Sequence, residues 1–557
     1  MDFNKLNLAG YSYENGMIKN GEKIISRQLI YPSKIIQNIE EGTYKVELKF
    51  VENKKENTLI VDMETISSKN KIISLANFGV WVNSSNANSL INYLNNIIVA
   101  NPLEREKSVS HLGFVKNEFI PYSKNIVFDG ELSFKDSYTA IAEPKGSFEE
   151  WKKKIEQVRK NKVARLIIDA SFTSPLLEYT SSLPFVVLVW GGTGLGKTVA
   201  LKVAASIWGN PDGSALINNL DSTTNFIYRT MAFYHNLPCF FDELQVFAGN
   251  KNKLIMTITQ GIDRGKANKV KGNERKETWK NCAIFTGEDS LSSSNSGGGT
   301  LNRLIEIYIN SPVVDNCMDV VDFVKENYGF AGREFINFML EKGKDFVKSL
   351  YKDKYNEILK LGKTADKQAA SMANILTADH LLSLFMFNET PLTVEEIKDF
   401  LLSKEEIDIS ERAYDYFVDE VLKNLSYFVK KDENDLSNES VEGKREFWGN
   451  IDGYEIMILK SQLEKMLNNA SFNPTKTMKE WADKGYLIRN SQGRYAHQTS
   501  VSGISGNFIK IRKINRQKQK EQIEKNQNDK QKTVTYINSY QPQRYGVQDV
   551  FWNMNNN

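Results

Sequence analysis

The residues best suited to chemistry sit in one short run, Gly191-Gly192-Thr193-Gly194-Leu195-Gly196-Lys197-Thr198. It matches GxxxxGK[ST] at every position. Glycines let the backbone curl into a concave nest whose N–H groups face phosphate oxygens. A following helix points the positive end of its dipole at the same anion. Lys197 supplies a full charge to the β- and γ-phosphates, and the Thr198 hydroxyl is placed to ligate Mg²⁺. The pattern predicts a site for ATP with Mg²⁺. A chance match is the competing explanation, and the flanking elements argue against it. Phe185 to Trp190 is an unbroken apolar run, as expected of a strand buried on both faces of a parallel sheet. Val199, Val203, Ala204 and Ile207 then recur at helical spacing until Gly209-Asn210-Pro211 stop the helix. Strand, glycine turn, helix begins a βαβ unit.

Such a site also needs a carboxylate at the end of a neighbouring strand. Cys239-Phe240-Phe241-Asp242-Glu243 supplies two acids after an apolar run. Asp242 is expected to hold Mg²⁺ through water, and Glu243 to orient and deprotonate an attacking water. That pairing suggests a hydrolase rather than a kinase; the plain alternative is a strand ending in solvated acids. Ala283-Ile284-Phe285 is another short apolar strand and ends in Thr286-Gly287-Glu288. Thr286 is placed to reach between the acids and the γ-phosphate, unless the segment is an ordinary turn. Gly297-Gly298-Gly299-Thr300-Leu301-Asn302-Arg303 presents a lone arginine after a flexible loop. Arg303 reads either as a surface residue or as a cation donated across a subunit boundary to the transferring phosphoryl group. The second reading makes the active site shared and the protein a ring.

Two segments could meet a polyanion. Asp263 to Lys276 is basic and punctuated by glycines, just before the Thr286 strand. A hairpin there, projecting into a ring's channel, could grip successive backbone phosphates through Lys266, Lys269 and Lys271. A solvated loop is the alternative. Further on, Tyr454 to Leu459 reads as a strand and Ser461 to Leu467 as a helix. Asn473 then caps a second helix with Pro474 in its first turn. Met478, Trp481 and Ala482 are expected to face a core, with Thr475, Lys476 and Lys479 outward. Tyr486–Arg489 and Arg494–His497 are expected to flank an Asn490–Gly493 turn. That order resembles a winged helix, whose second helix enters the major groove while wing residues such as Arg489 and Arg494 touch the backbone. Many winged helices bind only protein. The basic stretch Lys510 to Lys520 either adds phosphate contacts or is disordered.

Composition narrows the class. The chain has 557 residues, 41% hydrophobic and 25% charged, which suits three to five globular domains. Its 72 basic and 69 acidic residues leave a net charge of +3, too small for nucleic acid to meet the whole surface. Cys239, Cys282 and Cys317 are far apart, so a disulfide framework or cysteine zinc site is not expected. The chain shows no run of about 20 apolar residues and no signal layout, so a bacterial cytoplasmic protein without a membrane partner is expected. Tyr44, Val46, Leu48 and Phe50 alternate with charged residues as in a half-buried strand, and Ala87 to Val99 reads as a helix. Ser147 with Glu150 opens a helix running to Lys160. Phe335–Leu350 and Ala413–Tyr427 read as helices too. His111, His235, His380 and His497 have no ligand spacing, and the aromatics around Tyr351 and Phe385 read as core.

GGTGLGKT, CFFDEL, ETWKNCAIFTGEDSL and GGGTLNRLIEI, in this order, resemble one family. It comprises phage- and mobile-element-encoded helicase-like proteins with an AAA+ ATPase core related to the MCM helicases. Among them are replication initiator-helicases of staphylococcal pathogenicity islands and chromosomal cassettes. LANFGVWVNSS and SHLGFVKNEFIPYSKNIVFDG resemble its upstream portion, so the resemblance spans roughly residues 25–340. It implies a homohexameric ring translocating on single-stranded and duplex DNA, 3′→5′ unwinding, and a C-terminal domain that recognises the element's origin. By position, Lys197 and Thr198 match the Walker A ends, Asp242 and Glu243 Walker B, Thr286 sensor 1 and Arg303 the arginine finger. Arg333 is only a weak match to sensor 2. The cysteine pairs of zinc-bearing relatives are missing, so no further metal is carried over. The expected fold class is multidomain α/β. It comprises an N-terminal mainly-β α+β domain (1–146), an AAA+ P-loop core with a parallel sheet (147–311) and a helical region (312–430). A linker (431–449), a winged helix (450–505) and a basic tail (506–557) follow. Two other functions compete: a nucleotide-switched assembly protein whose winged helix binds protein, and a duplex-translocating packaging or transposition ATPase.

Overall fold

The computed structural model describes residues 3–130, 132–212, 215–263, 267–268, 272–273, 276–291, 298–430, 446–501 and 503–513. The chain divides into two compact units, Met1–Asp408 and Ile409–Asn557.

After a small three-stranded sheet (Ser12–Glu14, Met17–Asn20, Lys23–Ser26), the first unit builds a five-stranded sheet. Its longest strands, Ile30–Asn38, Tyr44–Glu52 and Lys55–Asp62, are antiparallel neighbours. The period-two pattern holds: Val46, Leu48 and Phe50 are buried, whereas Tyr44, at the strand's end, is exposed. Asn53 and Lys54 make the hairpin turn, both at positive φ as a two-residue type I′ turn requires. Helix Ala87–Ala100 covers the sheet with Leu90, Tyr93, Leu94 and Ile97. The segment after it serves two cores: strands Glu104–Val109 and Ile126–Phe128 complete this sheet. Val109, Leu112, Phe114, Phe119 and Ile126 pack into a second, larger core. The Phe114 N–H donates to Asn236 Oδ1 at 3.0 Å, and a Cβ on Gly113 would fall 2.8 Å from the Asn236 side chain.

That second core is built on a parallel sheet. Five parallel strands lie in the order Ile217–Asn219, Cys239–Asp242, Cys282–Gly287, Phe185–Gly191, Leu304–Ile309. Phe185 to Val189 are at most 1% exposed, which explains the unbroken apolar run: both faces are covered. Helix Lys162–Thr180 lies over the sheet, buried along most of its length. Helix Phe330–Leu359 bends at Gly343, whose φ of 78° and ψ of 167° leave the helical region. Helix Asp366–Leu382 packs on Lys162–Thr180. The sequence reading found no run fit to cross a membrane. One described helix, Asp366–Phe387, is long and apolar enough by composition, and it is mostly buried within the unit as a core helix.

A buried ion cluster ties these helices together. Arg159, Asp169 and Asp379 have fully buried side chains. Arg159 bonds Asp169, Asp379 (3.3 Å) and Glu389 (2.6 Å), while Arg165 Nε donates to Asp379 at 2.6 Å. Burial pushes the Asp169 carboxyl well above the usual carboxylate range, and the Arg159 charge opposes that. Elsewhere in the unit, the rings of His111 and His235 stack at 4.3 Å. Burial, reinforced by the charge of His111, holds His235 down at about 4.

In the second unit the helical pattern read at Ala413–Tyr427 is real, but its boundary moves. Helix Ile409–Lys423 belongs with the C-terminal module, because Tyr414 and Phe417 pack against Trp481 at 5.9 and 5.6 Å between ring centroids. Periodicity reveals a buried stripe, not which core it faces. Strand Glu455–Leu459, helices Lys460–Asn469 and Pro474–Asp483 and a strand pair then give the winged-helix order. The wing is not where it was expected. Asn490 Oδ1 accepts the N–H groups of Gln492 and Arg494 at 2.9 Å, closing a local turn. Leu487–Ile488 leaves that turn to pair with Ile511 and Lys510. The wing ladder is Ala496–Val501 with Ile504–Arg512, turning through Gly503 at φ 83°. The expected tail therefore begins as a strand, with Phe508, Ile509 and Ile511 fully buried. Of the expected linker and tail, residues 431–445 and 514–557 lie outside the described residues.

Arg159→Ala is expected to destabilise the first unit by about 3–5 kcal/mol, since it leaves Asp169 buried without its cation while Asp379 keeps only Arg165; a thermal melt of the full chain reads this. His235 binds its proton more readily in the unfolded chain, near pH 6.5, than in the folded one. Stability is therefore expected to fall by up to about 3 kcal/mol as pH drops from 6.5 towards 4. Urea unfolding across that window should show a shallower pH slope for His235→Gln.

Candidate nucleotide site and DNA-facing surfaces

The phosphate loop joins strand Phe185–Gly191 to helix Lys197–Ser206. Gly194 and Gly196 hold φ of 82° and 85°, which L side chains resist, and Gly196 caps the helix. Gly191 is required by crowding: a Cβ there would lie 2.2 Å from the Ile309 carbonyl oxygen on the next strand. Lys197 Nζ donates to the carbonyls of Gly191 (2.7 Å) and Gly192 (2.8 Å), so its charge lies across the loop. The sequence reading missed what supports the loop from behind. The Val313 N–H donates to the Leu195 carbonyl at 3.1 Å, and Val313 and Cys317 border Gly196.

Strand register brings the acids in. Phe241 pairs with Phe285, so Asp242 and Thr286 come next, side by side at the carboxyl ends of their strands. The buried Thr286 hydroxyl donates to the Asp242 carboxylate and accepts the Glu243 N–H at 3.0 Å. The Thr198 hydroxyl donates to Asp242 Oδ2 at 3.1 Å. Thr198, Asp242 and Thr286 thus form one hydrogen-bonded chain across three segments. Glu243 follows at φ 61° and ψ 62°, a left-handed conformation costly for a non-glycine residue, with its side chain exposed. Thr193 donates to Glu288 Oε1 at 3.2 Å, a carboxylate on the loop that was not singled out from sequence. Its signal was present, two positions after Thr286.

The donor set fits a nucleotide triphosphate with a hard divalent cation. Backbone nest, ammonium and helix N-terminus suit phosphate oxygens, and a hydroxyl beside a carboxylate suits Mg²⁺. Arg303 does not join this cluster. Its carbonyl accepts the Val186 N–H at 3.1 Å, at the start of the strand whose other end is the phosphate loop. The length of that strand, roughly 20 Å, separates the two. Arg333 also lies elsewhere, over the ring of Tyr122 at 5.0 Å. Its neighbour Gly332 bonds to Ile207, past the C-terminal end of the phosphate-loop helix and about 15 Å from Lys197. The weak sensor 2 match at Arg333 is therefore not supported by position.

Of the DNA-facing candidates, Lys266, Lys269 and Lys271 lie outside the described residues. Nearby, Ala267–Asn268 pairs with Gly272–Asn273 in a short antiparallel ladder. On helix Pro474–Asp483, Thr475, Lys476 and Lys479 are exposed, opposite buried Met478 and Trp481. Thr477 is buried as well. Lys476 faces Glu480 at 3.7 Å. Arg489 pairs with Asp483 at 3.0 Å and covers the Tyr495 ring, so it is partly committed within the unit. Arg494 is exposed in the Asn490 turn, off the wing ladder.

Comparison with known proteins bears on the whole chain. The family described as "Domain of unknown function (DUF927)" matches residues 8–279, and the "Cch helix turn helix domain" matches residues 408–519. No curated protein sequence matches significantly. Among solved structures, one described as "SCCmec type IV Cch - active helicase" is 19% identical, with a TM-score of 0.68 over 91% of this chain and 98% of that one. The NrS-1 C-terminal region is 11% identical over 66% of this chain and 90% of that one; its TM-score of 0.27 carries no argument. The chain thus has the fold of that solved structure, and carries a segment matching the DUF927 model followed by one matching the Cch helix turn helix domain.

Proposed function

We propose that this protein is an ATP-dependent DNA helicase and replication initiator of a mobile genetic element. It works as a homohexameric ring in the cytoplasm of a bacterial host, moves 3′→5′, and binds origin DNA through its winged helix. The observation that carries the reading is the Thr198–Asp242–Thr286 chain at the mouth of the phosphate loop. Mg²⁺ held near Thr198 and Asp242 neutralises phosphate charge when bound. Lys197 and the backbone nest hold the phosphates. Thr286 fixes the Asp242 carboxylate and the Glu243 backbone, so the exposed Glu243 carboxylate can take a proton from water. Arg303 lies too far from its own loop to serve it, which supports donation to the neighbouring protomer's site and hence a ring. Thr475, Lys476 and Lys479 present a hydroxyl and two cations on the outer face of the second helix, as groove binding needs.

Strand displacement on a forked duplex with ATP and Mg²⁺ tests the whole. Wild type is expected to separate the strands, Lys197→Ala to fail, and reversing the tailed strand to show the polarity. ATP hydrolysis without strand separation on any tail would instead favour a nucleotide-switched assembly protein. Thr286→Val, which removes both hydroxyl contacts at constant volume, is expected to lower kcat for ATP hydrolysis by about 10²-fold with little change in KM. Thr286→Ser should retain most of the rate.

A further inference from the structure

Two of the carboxylates at the mouth of the phosphate loop are accounted for. Asp242 accepts the Thr198 and Thr286 hydroxyls, and Glu243 follows it with its side chain in solvent. Glu288 is not accounted for, and its charge has the wrong sign for a site that takes a polyanion. Strand register puts it there. Trp190 pairs with Gly287, so Glu288 comes next, beside Gly191 at the start of the loop. Its Oε1 accepts the Thr193 hydroxyl at 3.2 Å. Among the described residues no ion pair neutralises it. Lys197, the cation of the loop, donates instead to the Gly191 and Gly192 carbonyls.

The backbone cannot carry this charge away. The strand before Glu288, Cys282–Gly287, is buried and paired on both sides. After it, Glu306 on the edge strand accepts the Ser290 hydroxyl at 2.9 Å and the Leu291 N–H at 2.6 Å. The segment is thus fixed at both ends, and only the Glu288 side chain can yield. Its place along the loop is also defined. A lysine in the Lys197 position serves the β- and γ-phosphates, and Lys197 lies on Gly191 and Gly192, where Glu288 emerges. Thr286, placed for the γ-phosphate, leaves the same strand two residues earlier. A carboxylate here meets the terminal phosphate of a triphosphate far more closely than any phosphate of a diphosphate, and like charges repel more strongly as they approach.

We propose that Glu288 is a positioning residue that makes the site distinguish a nucleoside triphosphate from a diphosphate. This rests on the nucleotide reading above. Without nucleotide, Glu288 holds the loop through Thr193. The third phosphate repels the carboxylate and breaks that contact, whereas a diphosphate leaves it in place. Part of the triphosphate's affinity therefore goes into moving Glu288, and the loop is released from the Thr286 strand only when the third phosphate is present. Such a change follows from differential affinity alone: the two nucleotides differ in what they meet at this one carboxylate.

The test measures equilibrium binding of ATPγS and of ADP to the full-length protein by calorimetry, with Mg²⁺ and without DNA. Glu288→Gln removes the charge and keeps an oxygen for the Thr193 hydroxyl. It is expected to tighten ATPγS about fivefold and to change ADP by less than about twofold. The gain should disappear at about 1 M salt, where the screening length falls to about 3 Å. Glu288→Asp, which keeps the charge, should bind ATPγS within about twofold of wild type, and melts without nucleotide check that both variants fold. Equal changes for the two nucleotides, or no change for either, overturn the proposal. Loss of ATPγS binding in Glu288→Gln also overturns it, because the side chain would then attract the nucleotide. Unchanged affinities with kcat for ATP lowered about 10²-fold would make Glu288 the base that activates water, again overturning the proposal. Failure of wild type to bind either nucleotide removes the nucleotide reading itself, and the proposal with it.

Discussion

Parallel register is the constraint from which the nucleotide site follows. Strands Phe185–Gly191, Cys239–Asp242 and Cys282–Gly287 run the same way, so their carboxyl ends meet at one edge of the sheet. Each delivers one component there: the glycine nest, the acidic pair and Thr286. A slip of one residue would turn every side chain of a strand to the other face and separate Asp242 from Thr286. The register is held by side chains with no chemistry of their own, including Phe241 stacked on Phe285 at 4.9 Å. The dry, two-sided burial of these strands is therefore part of the site's construction.

The same parallel arrangement puts Arg303 at the end of the sheet opposite the phosphate loop. A residue that enters the last strand from below emerges a strand length from the phosphates. Arg303 there is half-buried and donates to the Gly299 carbonyl. The helices behind the sheet are joined by a charged cluster as well as by apolar contact. Arg159 touches Asp169, Asp379 and Glu389, residues far apart in sequence. Such a cluster adds little net stability over an apolar core, yet it permits only one seating of helix Asp366–Leu382. That seating positions Gln368 against the Leu301 and Leu304 carbonyls, which flank Arg303.

Local chemistry was legible wherever the constraint is local. Glycines with positive φ, a lysine at a helix start, an apolar run ending in acids and an asparagine cap followed by proline all act within a few residues. Each can be read without knowing what lies across the fold. The wing shows the limit. Asn490–Gly493 has turn chemistry and does turn, but the partner of Leu487 is Ile511, chosen by sheet pairing over a distance that turn signals do not encode. The helix at 409–423 is similar: its stripe was evident, its core was not.

The sequence by itself determined the phosphate loop, its flanking strand and helix, the acidic pair and the two-helix order of the C-terminal unit, because these depend on backbone freedom, charge and periodicity. Only the tertiary structure decided that Thr198, Asp242 and Thr286 share one hydrogen-bonded chain, that Arg333 stacks on Tyr122 away from the loop, and that Gln368 bonds the carbonyls flanking Arg303. Those outcomes depend on contacts between residues tens to hundreds of positions apart. They are set by strand register and helix packing, where many weak terms compete and no single residue carries the answer.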